Sequence, residues 1–451
     1  MINSYKYVAG FARFNYIYNN EFIIQLTGRR DGSSNFGPGN RFGNFGSVGG
    51  GWIFTEEKLI KELLPVLSYG KISGSYGTSG SDGIAPYQYQ ALYKAIPYVP
   101  TYQGIGPSYP ANLYNPDYSW AAKQALNIAL DLGFFNSRLL LNATYYRNRE
   151  GNQLVNYPLP IQVGISSVLA NLDATVQNQG WEFTASSSNI QTKNFTWRTN
   201  FNLSFNRNKL IAFPGLATST YSTQYEIGQP TSTIYGYRYK DVNPTTGLFE
   251  FYKSNGTVVS NPNYQLASAG GDKVSVGNRE VKYMGGFGNT VTYKQFTLYV
   301  FCQFASQNAP NYLYQLYNNQ LGFMKNVPTS VLGSYWKSPG DVAQLQRLAS
   351  SYSTPFIASA GTSATTAALN FVASSGAYSD DTYLRVKTVS LSYQLPKPLL
   401  DKVHIKGASI FINGQNVLTF TNYKVGDPEQ PGTFTSFPVQ RVLACGLNLK
   451  F

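Results

Sequence analysis

Few residues in this chain of 451 amino acids combine types that perform acid–base or nucleophilic chemistry. Histidine occurs once, as His404 in DKVHIKG, where Lys402 and Lys406 flank it. A lone imidazole between two lysines is typical of a solvated loop residue. A Ser-His-Asp triad and a His-rich zinc site both need imidazoles, and the sequence contains no GxxxxGK[ST], no CxxC and no GxGxxG after a strand. We therefore expect no catalytic residues, no cofactor and no metal site.

Two short acidic clusters are the remaining candidates for metal binding. Asp380-Asp381 and Asp427-Pro428-Glu429 could offer carboxylate oxygens to Ca²⁺. Turns with solvated acidic side chains are, however, the more common explanation of such clusters. We interpret both clusters as turns with solvated carboxylates, and we therefore predict no metal site.

Loop aromatic residues are the candidate ligand contacts. Tyrosine rings can stack on sugar rings or on peptide side chains, and tyrosine also forms the aromatic girdles at membrane interfaces. The position of each ring along a strand decides between the two roles. The candidate substrate-binding residues are Tyr98, Tyr102, Tyr109, Tyr312, Tyr314 and Tyr317.

The composition does not indicate an ordinary soluble protein. Charged residues make up 13% of the chain and aromatic residues 15%, and the mean hydropathy is −0.23. Low charge with a slightly polar average suits a wall that has lipid on one side and water on the other. The net charge of +13 comes from basic residues that are scattered rather than clustered. We expect phosphates of an outer lipid leaflet or an acidic solute as partners, and no nucleic acid.

The two cysteines, Cys302 and Cys445, are too few for a disulfide scaffold. Both lie in apolar, strand-like runs, so we interpret them as small buried hydrophobic residues. A single long-range disulfide is the alternative, because an oxidising periplasm would permit it.

Any membrane crossing must use strands. The sequence has no uninterrupted run of about 18 apolar residues, the length a transmembrane helix needs, whereas strands of about 9 to 11 residues can cross. The start, MINSYKYVAGFARFNY, also lacks the pattern of a signal peptide. An exported protein needs such a signal, so either the chain is a mature or truncated form or it is not exported.

Alternation of apolar and polar residues is the dominant pattern, and FTWRTNFNLSFN is its clearest case. Phe195, Trp197 and Phe201 fall on one face of the predicted strand, and Arg198 and Asn200 fall on the other. We count roughly 12 to 14 such strands. Further examples are NEFIIQLTG, ALNIALDL, RLLLNATYY, WEFTA, KQFTLYVFCQF, VSLSYQL and LACGLNLKF.

The strands are joined alternately by tight turns and by long segments. Asn19-Asn20 and Asn136-Ser137 are the short joints. The long ones are predicted as irregular loops over approximately residues 79–119, 207–285 and 305–380. This asymmetry is typical of an outer-membrane barrel, with short periplasmic turns and long outer loops.

One helical segment interrupts the strands, TEEKLIKELLP. Thr55 is the predicted N-cap, Glu56 and Glu57 lie at the positive end of the helix dipole, and Pro65 ends the helix. We expect it to be a capping segment.

Several strings along the chain carry a family resemblance when taken in order. They are RDGSSNFG, LSYGKISGSYGTSG, NPDYSW, YYRNREGNQLV, NQGWEF, FNLSFNRNKL, GGFGNTVTYKQF, YLRVKTVSLSYQLP and GQNVLTFTNYKVGDPE. In this order the chain resembles the SusC/RagA group of TonB-dependent outer-membrane transporters of Bacteroidetes. The final Phe451 fits too, because members of the family resemble other outer-membrane barrels in ending on an aromatic residue.

The resemblance implies a fold and a function. It implies an all-β, antiparallel transmembrane barrel of about 22 strands, plugged by an N-terminal domain. It also implies energy from the TonB complex, a SusD-like surface lipoprotein as a lid, and import of oligosaccharides or peptides. Residues 1–451 then form the C-terminal part of the barrel, without plug, TonB box or signal peptide. Because the first strand would lack its neighbour, we expect that the chain does not transport alone.

Three other functions are compatible with parts of the pattern. A complete smaller barrel would act as a passive outer-membrane pore. An extracellular binding or adhesion protein built on a β-sandwich would bury its apolar faces in a dry core and fold in water. An outer-membrane hydrolase is disfavoured by the single histidine.

Overall fold

The main element of the protein is one large antiparallel sheet. The computed structural model describes residues 4–160, 162, 164–165, 167–318, 321–322, 326–349, 356–401, 405–431 and 437–451. The strands of the sheet are β1 (Tyr7–Tyr18), β2 (Phe22–Ser33), β3 (Phe42–Trp52), β4 (Leu67–Ser81), β7 (Ala121–Phe134), β8 (Leu139–Gly151), β11 (Thr175–Gln191), β12 (Phe195–Ala212), β18 (Tyr283–Tyr293), β19 (Phe296–Pro310), β20 (Tyr378–Gln394), β21 (Gly407–Thr421) and β22 (Val442–Lys450). They are hydrogen-bonded in this sequence order, and the sheet has 13 strands.

Smaller elements lie in the segments between these strands. The short strands are β5 (Leu92–Ala95), β6 (Ser108–Asn112), β9 (Gln153–Pro158), β10 (Ser167–Leu172), β13 (Thr233–Gly236), β14 (Arg238–Val242), β15 (Phe249–Tyr252), β16 (Val258–Val259) and β17 (Val274–Asn278). The helices are α1 (Lys58–Leu63), α2 (Tyr312–Asn318), α3 (Ala364–Val372) and α4 (Lys397–Leu400). Among the described residues, no helix is both long enough and apolar enough to span a membrane.

The strand count and the strand positions agree with the sequence prediction. The predicted 12 to 14 strands correspond to the 13 strands of the sheet, and FTWRTNFNLSFN lies in β12. The all-β, antiparallel prediction is therefore confirmed. Strands form here because β-branched and aromatic residues suit a pleated surface whose two faces have different surroundings.

The chain divides into two compact units. Unit 1 comprises Met1–Ala185 and Arg207–Thr231, and unit 2 comprises Ser186–Asn206 and Ser232–Phe451. Unit 1 contains β1 to β10, unit 2 contains β13 to β22, and the boundary divides β11 and β12 between the units. The site residues are described below within one unit at a time.

In unit 1 the sheet has an apolar face and a polar face. Along β2, exposed Phe22, Ile24 and Leu26 alternate with half-buried Ile23 and Gln25. The register continues the apolar face across neighbouring strands, because Phe22 lies opposite Trp52, which lies opposite Ile72 and then Leu130. These large apolar side chains are exposed, so no described part of the chain covers this face.

The uncovered apolar face excludes the β-sandwich. A sandwich requires two apolar faces that meet in a dry core. In unit 2 the same alternation leaves Phe296, Leu298, Leu391, Ile410 and Ile412 exposed. That alternative is therefore wrong for both units.

The tight turns are those predicted. Asn19 and Asn20 both have left-handed backbones, with φ of 51° and 58°, and they join β1 to β2 directly. Asn136 and Ser137 are also left-handed, with φ of 55° and 61°. Asparagine tolerates this conformation better than most residues, and consecutive left-handed residues match the twist of a hairpin.

The predicted N-cap of the helical segment is wrong. Helix α1 begins after Glu57, which occupies the cap position, and ends before Pro65 as predicted. Thr55 is buried and its Oγ1 accepts a hydrogen bond of 2.9 Å from the backbone N–H of Gly70 in β4. A contact to a distant strand has replaced the local cap, because a buried donor must be satisfied.

Two further predictions need correction, and one falls outside the described residues. Cys302 is buried, but Cys445 is exposed among the apolar residues of β22, and both thiols are free. An apolar neighbourhood indicated burial, whereas this apolar face is uncovered.

The long segments predicted as irregular contain β5, β6, β13–β17, α2 and α3. His404 lies outside the described residues.

Candidate functional site

The two long connections of unit 2 fold together into one body. Strands β18 and β19 are adjacent, so the segment that enters β18 and the segment that leaves β19 start at the same end of the sheet. Residues 232–280 and 311–377, as far as they are described, share one buried core. We call this body the loop assembly.

Aromatic rings fill the core of the loop assembly. Phe249 of β15 stacks on Phe371 of α3 at a centroid distance of 4.2 Å, and Tyr239 of β14 meets Phe371 edge-on at 5.0 Å. Burial raises the pKa of Tyr239 to about 12, since the ionised phenolate would lose its solvation. Both phenylalanines are fully buried. A packed aromatic core therefore supports the residues at the surface of the loop assembly.

Helix α2 carries three of the predicted substrate-binding tyrosines, and they have different surroundings. Tyr317 is only 4% exposed, and its ring lies 4.9 Å from that of Phe249. Burial raises the pKa of Tyr317. Its observed contacts are thus core contacts. Tyr312 and Tyr314 are half-buried; the hydroxyls of Tyr312 and Ser330 lie 2.9 Å apart, and the ring of Tyr314 lies 5.9 Å from Tyr378.

The other three predicted tyrosines lie in unit 1, in residues 82–120, which we call the tyrosine loop. Tyr98 and Tyr102 follow β5, and Tyr109 lies in β6 opposite Lys94. All three are exposed, and Tyr98 is fully so. The structure brings these three together in one loop and places the α2 tyrosines in the loop assembly. Their contact with a substrate remains a prediction.

The base of the tyrosine loop is packed even though its tip is exposed. Phe36, Tyr118 and Trp120 form a small buried core, with Phe36 and Trp120 5.2 Å apart. Burial raises the pKa of Tyr118 to about 12. Asn115 donates a hydrogen bond of 3.3 Å to the backbone carbonyl of Leu169. These contacts hold the base of the loop in place. The tip of the loop is exposed and therefore accessible to a ligand.

The acidic clusters of unit 2 are not solvated turns, which corrects the sequence interpretation. Asp381 is fully buried, and one of its oxygens accepts a hydrogen bond of 2.9 Å from Gln307. Asp427 is also buried and accepts a hydrogen bond of 2.7 Å from Arg385. Arg385 lies on β20, far along the chain, so no local sequence pattern could reveal this pairing.

The remaining carboxylate of this network meets two cations. Glu429 lies 3.2 Å from Nη1 of Arg385 and 3.0 Å from Nζ of Lys387. Burial works against ionisation of Asp427, but the hydrogen bonds from Arg385 and from the backbone N–H of Glu429 and Val439 hold its pKa below the ordinary range. Within the described residues, no three His, Cys, Asp or Glu side chains are arranged to hold a metal ion. The network fastens the segment after β21 to the polar face of β20.

The polar face of unit 1 has a shallow depression. It has a volume of about 300 Å³ and lies across β2, β3, β4 and β7. Small residues create it, because side chains without bulk leave space above the pleat. Its lining includes Gln25, Ser47, Gly49, Lys71, Ser73 and Asn127.

Comparison with known proteins relates this arrangement to outer-membrane receptors. No family model matches the chain. The chain is 28% identical over its full length to TonB-dependent receptor P3 of Formosa agariphila, and 26% identical over 98% of its length to TonB-dependent receptor SusC of Bacteroides thetaiotaomicron. A solved structure of the RagAB peptide transporter has the same fold, with a TM-score of 0.82 over 99% of this chain at 24% identity. Along its whole length the chain is therefore similar to TonB-dependent receptors of the SusC/RagA type.

The chain spans about half the length of the relatives that it matches. It corresponds to 46% of receptor P3, 44% of SusC and 48% of the RagAB chain. The family string GQNVLTFTNYKVGDPE now has a physical meaning in this chain, because it supplies Asp427 and Glu429, the two carboxylates that bind Arg385. The strings around it supply β20 and β21.

Proposed function

We propose that this chain is the C-terminal barrel part of an outer-membrane, TonB-energised importer of oligosaccharides or peptides that works with a SusD-like surface lipoprotein. The observation that carries the proposal is the uncovered apolar face of the sheet, combined with the match to TonB-dependent receptors along the whole chain. We further propose that the protein catalyses no covalent reaction, since its sequence contains a single histidine.

The apolar face supplies the contact with lipid. Exposed Ile128 and Leu130 of β7 alternate with polar-face residues such as Asn127. Lipid hydrocarbon accepts apolar side chains, and the antiparallel ladder satisfies the backbone groups that lipid cannot. The polar face then lines the aqueous path or contacts the plug.

The connections supply the outer surface of the importer. They leave the same ends of adjacent strands and carry exposed tyrosines on packed bases, as the tyrosine loop does with Tyr98 and Tyr102. Exposed aromatic rings on a fixed base suit recognition of sugars or peptides. A surface lipoprotein that closes over the loops would trap the solute between two binding surfaces.

The lipid orientation is tested by an arginine scan of one strand. Leu130→Arg places a charge on the apolar face near the middle of β7, and Ala129→Arg places the same charge on the polar face one residue earlier. At mid-membrane a lipid-facing arginine costs about 2–4 kcal/mol. We expect Leu130→Arg to reduce the folded, heat-modifiable fraction of the full-length receptor and Ala129→Arg to leave it near the wild-type level. Equal loss from both variants would contradict the orientation.

Transport is tested in cells that carry the full-length gene or its deletion. Uptake of labelled oligosaccharide and peptide mixtures is measured with and without a functional TonB complex. Loss of uptake on deletion of either the receptor or TonB supports active import. Uptake that persists without TonB supports the passive pore instead, and unchanged uptake after deletion of the receptor contradicts both.

The lipoprotein partnership is tested by purification of the full-length receptor from its own membrane. A SusD-like lipoprotein should co-purify in stoichiometric amount, and its removal should lower uptake at low substrate concentration. A receptor that purifies alone and imports equally well would contradict the partnership. The 451 residues expressed alone should give no monodisperse, conducting species, because β1 would present unpaired backbone groups to lipid.

A further inference from the structure

The apolar face of unit 1 changes character along β8. From one end of the strand, this face carries Leu139 and Leu141, then the aromatic Tyr145, then two arginines. Arg147 lies opposite Leu126 of β7, and Arg149 lies opposite Gln124. Since alternate residues of a strand share a face, both arginines project from the same surface as the leucines.

The neighbouring strand continues this change. Nε of Arg149 donates a hydrogen bond of 2.8 Å to Gln177 of β11, and the hydroxyl of Tyr145 donates one of 3.3 Å to Gln179. The rings of Tyr145 and Trp181 lie 5.2 Å apart on this face. The aromatic pair therefore separates the apolar residues from a zone of glutamines and arginines.

Strand β12 adds a further cation on the other side of the glutamines. Asn208 donates a hydrogen bond of 2.7 Å to Asn178 of β11, so these two side chains share the polar face. Lys209, the next residue, therefore lies on the apolar face with Gln177, and it is exposed. Arg149 and Lys209 then flank Gln177 from two sides, two strand spacings or about 10 Å apart.

The carboxylates of β7 and β8 lie on the opposite, polar face. Asp131 accepts from Asn142, and Glu150 pairs with Lys123 at 3.6 Å, both on the polar face. In the described part of the chain, none of Arg147, Arg149 and Lys209 forms an ion pair. On the polar face Lys123 has a carboxylate within salt-bridge distance, whereas these three cations have none.

We propose that Arg147, Arg149 and Lys209 bind the phosphate groups of an anionic lipid in the outer leaflet. The proposal rests on the lipid-facing orientation proposed above. Aromatic residues at a membrane boundary mark the level of the lipid head groups, and the three cations lie just beyond Tyr145 and Trp181. Gln177 holds the guanidinium of Arg149 through Nε, which leaves its two terminal nitrogens to form a bidentate contact with phosphate.

The test uses the full-length receptor with lipid A as the probe. Native mass spectrometry measures binding of phosphorylated lipid A to the wild type and to the variant R147Q/R149Q/K209Q. We expect binding to the variant to be at least about tenfold weaker, since each cation near a charged membrane surface contributes about fivefold. Dephosphorylated lipid A should bind both proteins equally. Inorganic phosphate should not displace the lipid at matched phosphate concentration.

A matched control removes three cations from the polar face instead. The variant R13Q/K71Q/K123Q has the same net charge as the test variant, and we expect it to bind phosphorylated lipid A like the wild type. Equal binding by wild type and R147Q/R149Q/K209Q would overturn the proposal, and so would equal weakening in the two triple variants. Displacement by inorganic phosphate would overturn the assignment to lipid.

Two further measurements separate this proposal from the proposed function. Heat-modifiable migration shows that the variant is folded. The variant R147K/R149K keeps the charges but loses the guanidinium geometry, so it should bind lipid A more tightly than R147Q/R149Q/K209Q and less tightly than the wild type. A variant that loses lipid A but still imports solute leaves the transport function intact. A wild-type receptor that binds lipid A through these cations but imports nothing overturns the transport function alone.

Discussion

The tyrosine loop of unit 1 and the loop assembly of unit 2 have similar tyrosine-rich sequences but different structures. In the tyrosine loop only the base is packed, and Tyr98 and Tyr102 are exposed at the tip. In the loop assembly Tyr317 is enclosed by Phe249 and Phe371. The same residue type thus faces solvent in one region and forms the core of the other.

The difference follows from how many segments meet. The tyrosine loop is one connection, and among the described strands β5 and β6 pair only with each other. The loop assembly joins two connections that leave adjacent strands, so each supplies apolar surface for the other. A segment can bury its aromatic residues only where a second surface is available to cover them.

Removal of a core ring from the loop assembly should have the largest effect. Phe371→Ala deletes a fully buried ring that contacts Phe249, Tyr239 and Tyr317. We expect a loss of about 3–5 kcal/mol in local stability. Hydrogen-exchange mass spectrometry of the full-length receptor should show faster exchange in α2 and α3.

The control lies on the same helix. Leu369→Ala changes an exposed side chain of α3, and we expect exchange near the wild-type rate. Heat-modifiable migration should be normal in both variants, because the sheet does not depend on this core. Equal protection in wild type and Phe371→Ala would show that the loop assembly is not a cooperative body.

A second change separates backbone strain from packing. Gly247 has φ of +70°, and a Cβ there would clash with the ring of Trp336, whereas Gly256 has φ of +87° with open space around it. Alanine at either site suffers left-handed strain of about 1–2 kcal/mol. Gly247→Ala should therefore destabilise the assembly more than Gly256→Ala, as measured by proteolysis of the folded receptor. The reverse order would contradict the described packing.

Protonation should loosen the loop assembly at low pH. Burial opposes ionisation of Asp272, but backbone N–H groups of Ser254 and Asn263 donate to it at 3.0 and 2.7 Å and hold its pKa below the ordinary value. A lowered pKa contributes stability above the unfolded pKa of about 4, and that stability is lost as pH falls through the folded pKa. Exchange in this region should accelerate below about pH 4.

The variant Asp272→Asn tests the origin of this pH dependence. We expect a loss of about 1–3 kcal/mol at neutral pH, because charge-assisted hydrogen bonds are lost, and a flatter dependence below about pH 4. Asp341→Asn is the control, since Asp341 accepts similar backbone hydrogen bonds on an exposed turn. An unchanged acid dependence in Asp272→Asn would show that another carboxylate is responsible.

The smallest stability effect is expected in the tyrosine loop. Replacement of Tyr98, Tyr102 and Tyr109 by alanine should change stability by less than about 0.5 kcal/mol per site, since the rings are exposed. If these rings contact the solute, binding measured by calorimetry should nevertheless weaken. Unchanged binding would exclude the tyrosine loop from the substrate site without affecting the contrast in stability.

The sequence predicted the sheet better than the connections, for a physical reason. Alternation in β2 or β12 is imposed by two different surroundings, and it can be read from neighbouring residues. The loop assembly depends on Phe249 meeting Phe371, and Asp427 depends on Arg385 of β20. Such pairings between distant segments leave no local pattern.

Two local signals were overridden by the fold. Thr55 has the residue type of an N-cap, yet it binds the backbone of Gly70 because the chain there is buried against β4. Cys445 lies in an apolar run, and apolar runs are usually buried, but this one belongs to an uncovered face. Of the six candidate tyrosines, only Tyr317 is buried in a core. How exposed the other five are depends on tertiary contacts, which cannot be read from the sequence.

The exposed thiol of Cys445 gives the protein a built-in probe of its surroundings. It lies opposite Ile412 on the apolar face and is accessible to a labelling reagent, whereas Cys302 is buried. A nitroxide attached there would report collisions with oxygen, which concentrates in hydrocarbon, and with a water-soluble nickel complex, which does not enter it. The ratio of the two relaxation effects would measure the immersion depth of β22 without any engineered cysteine.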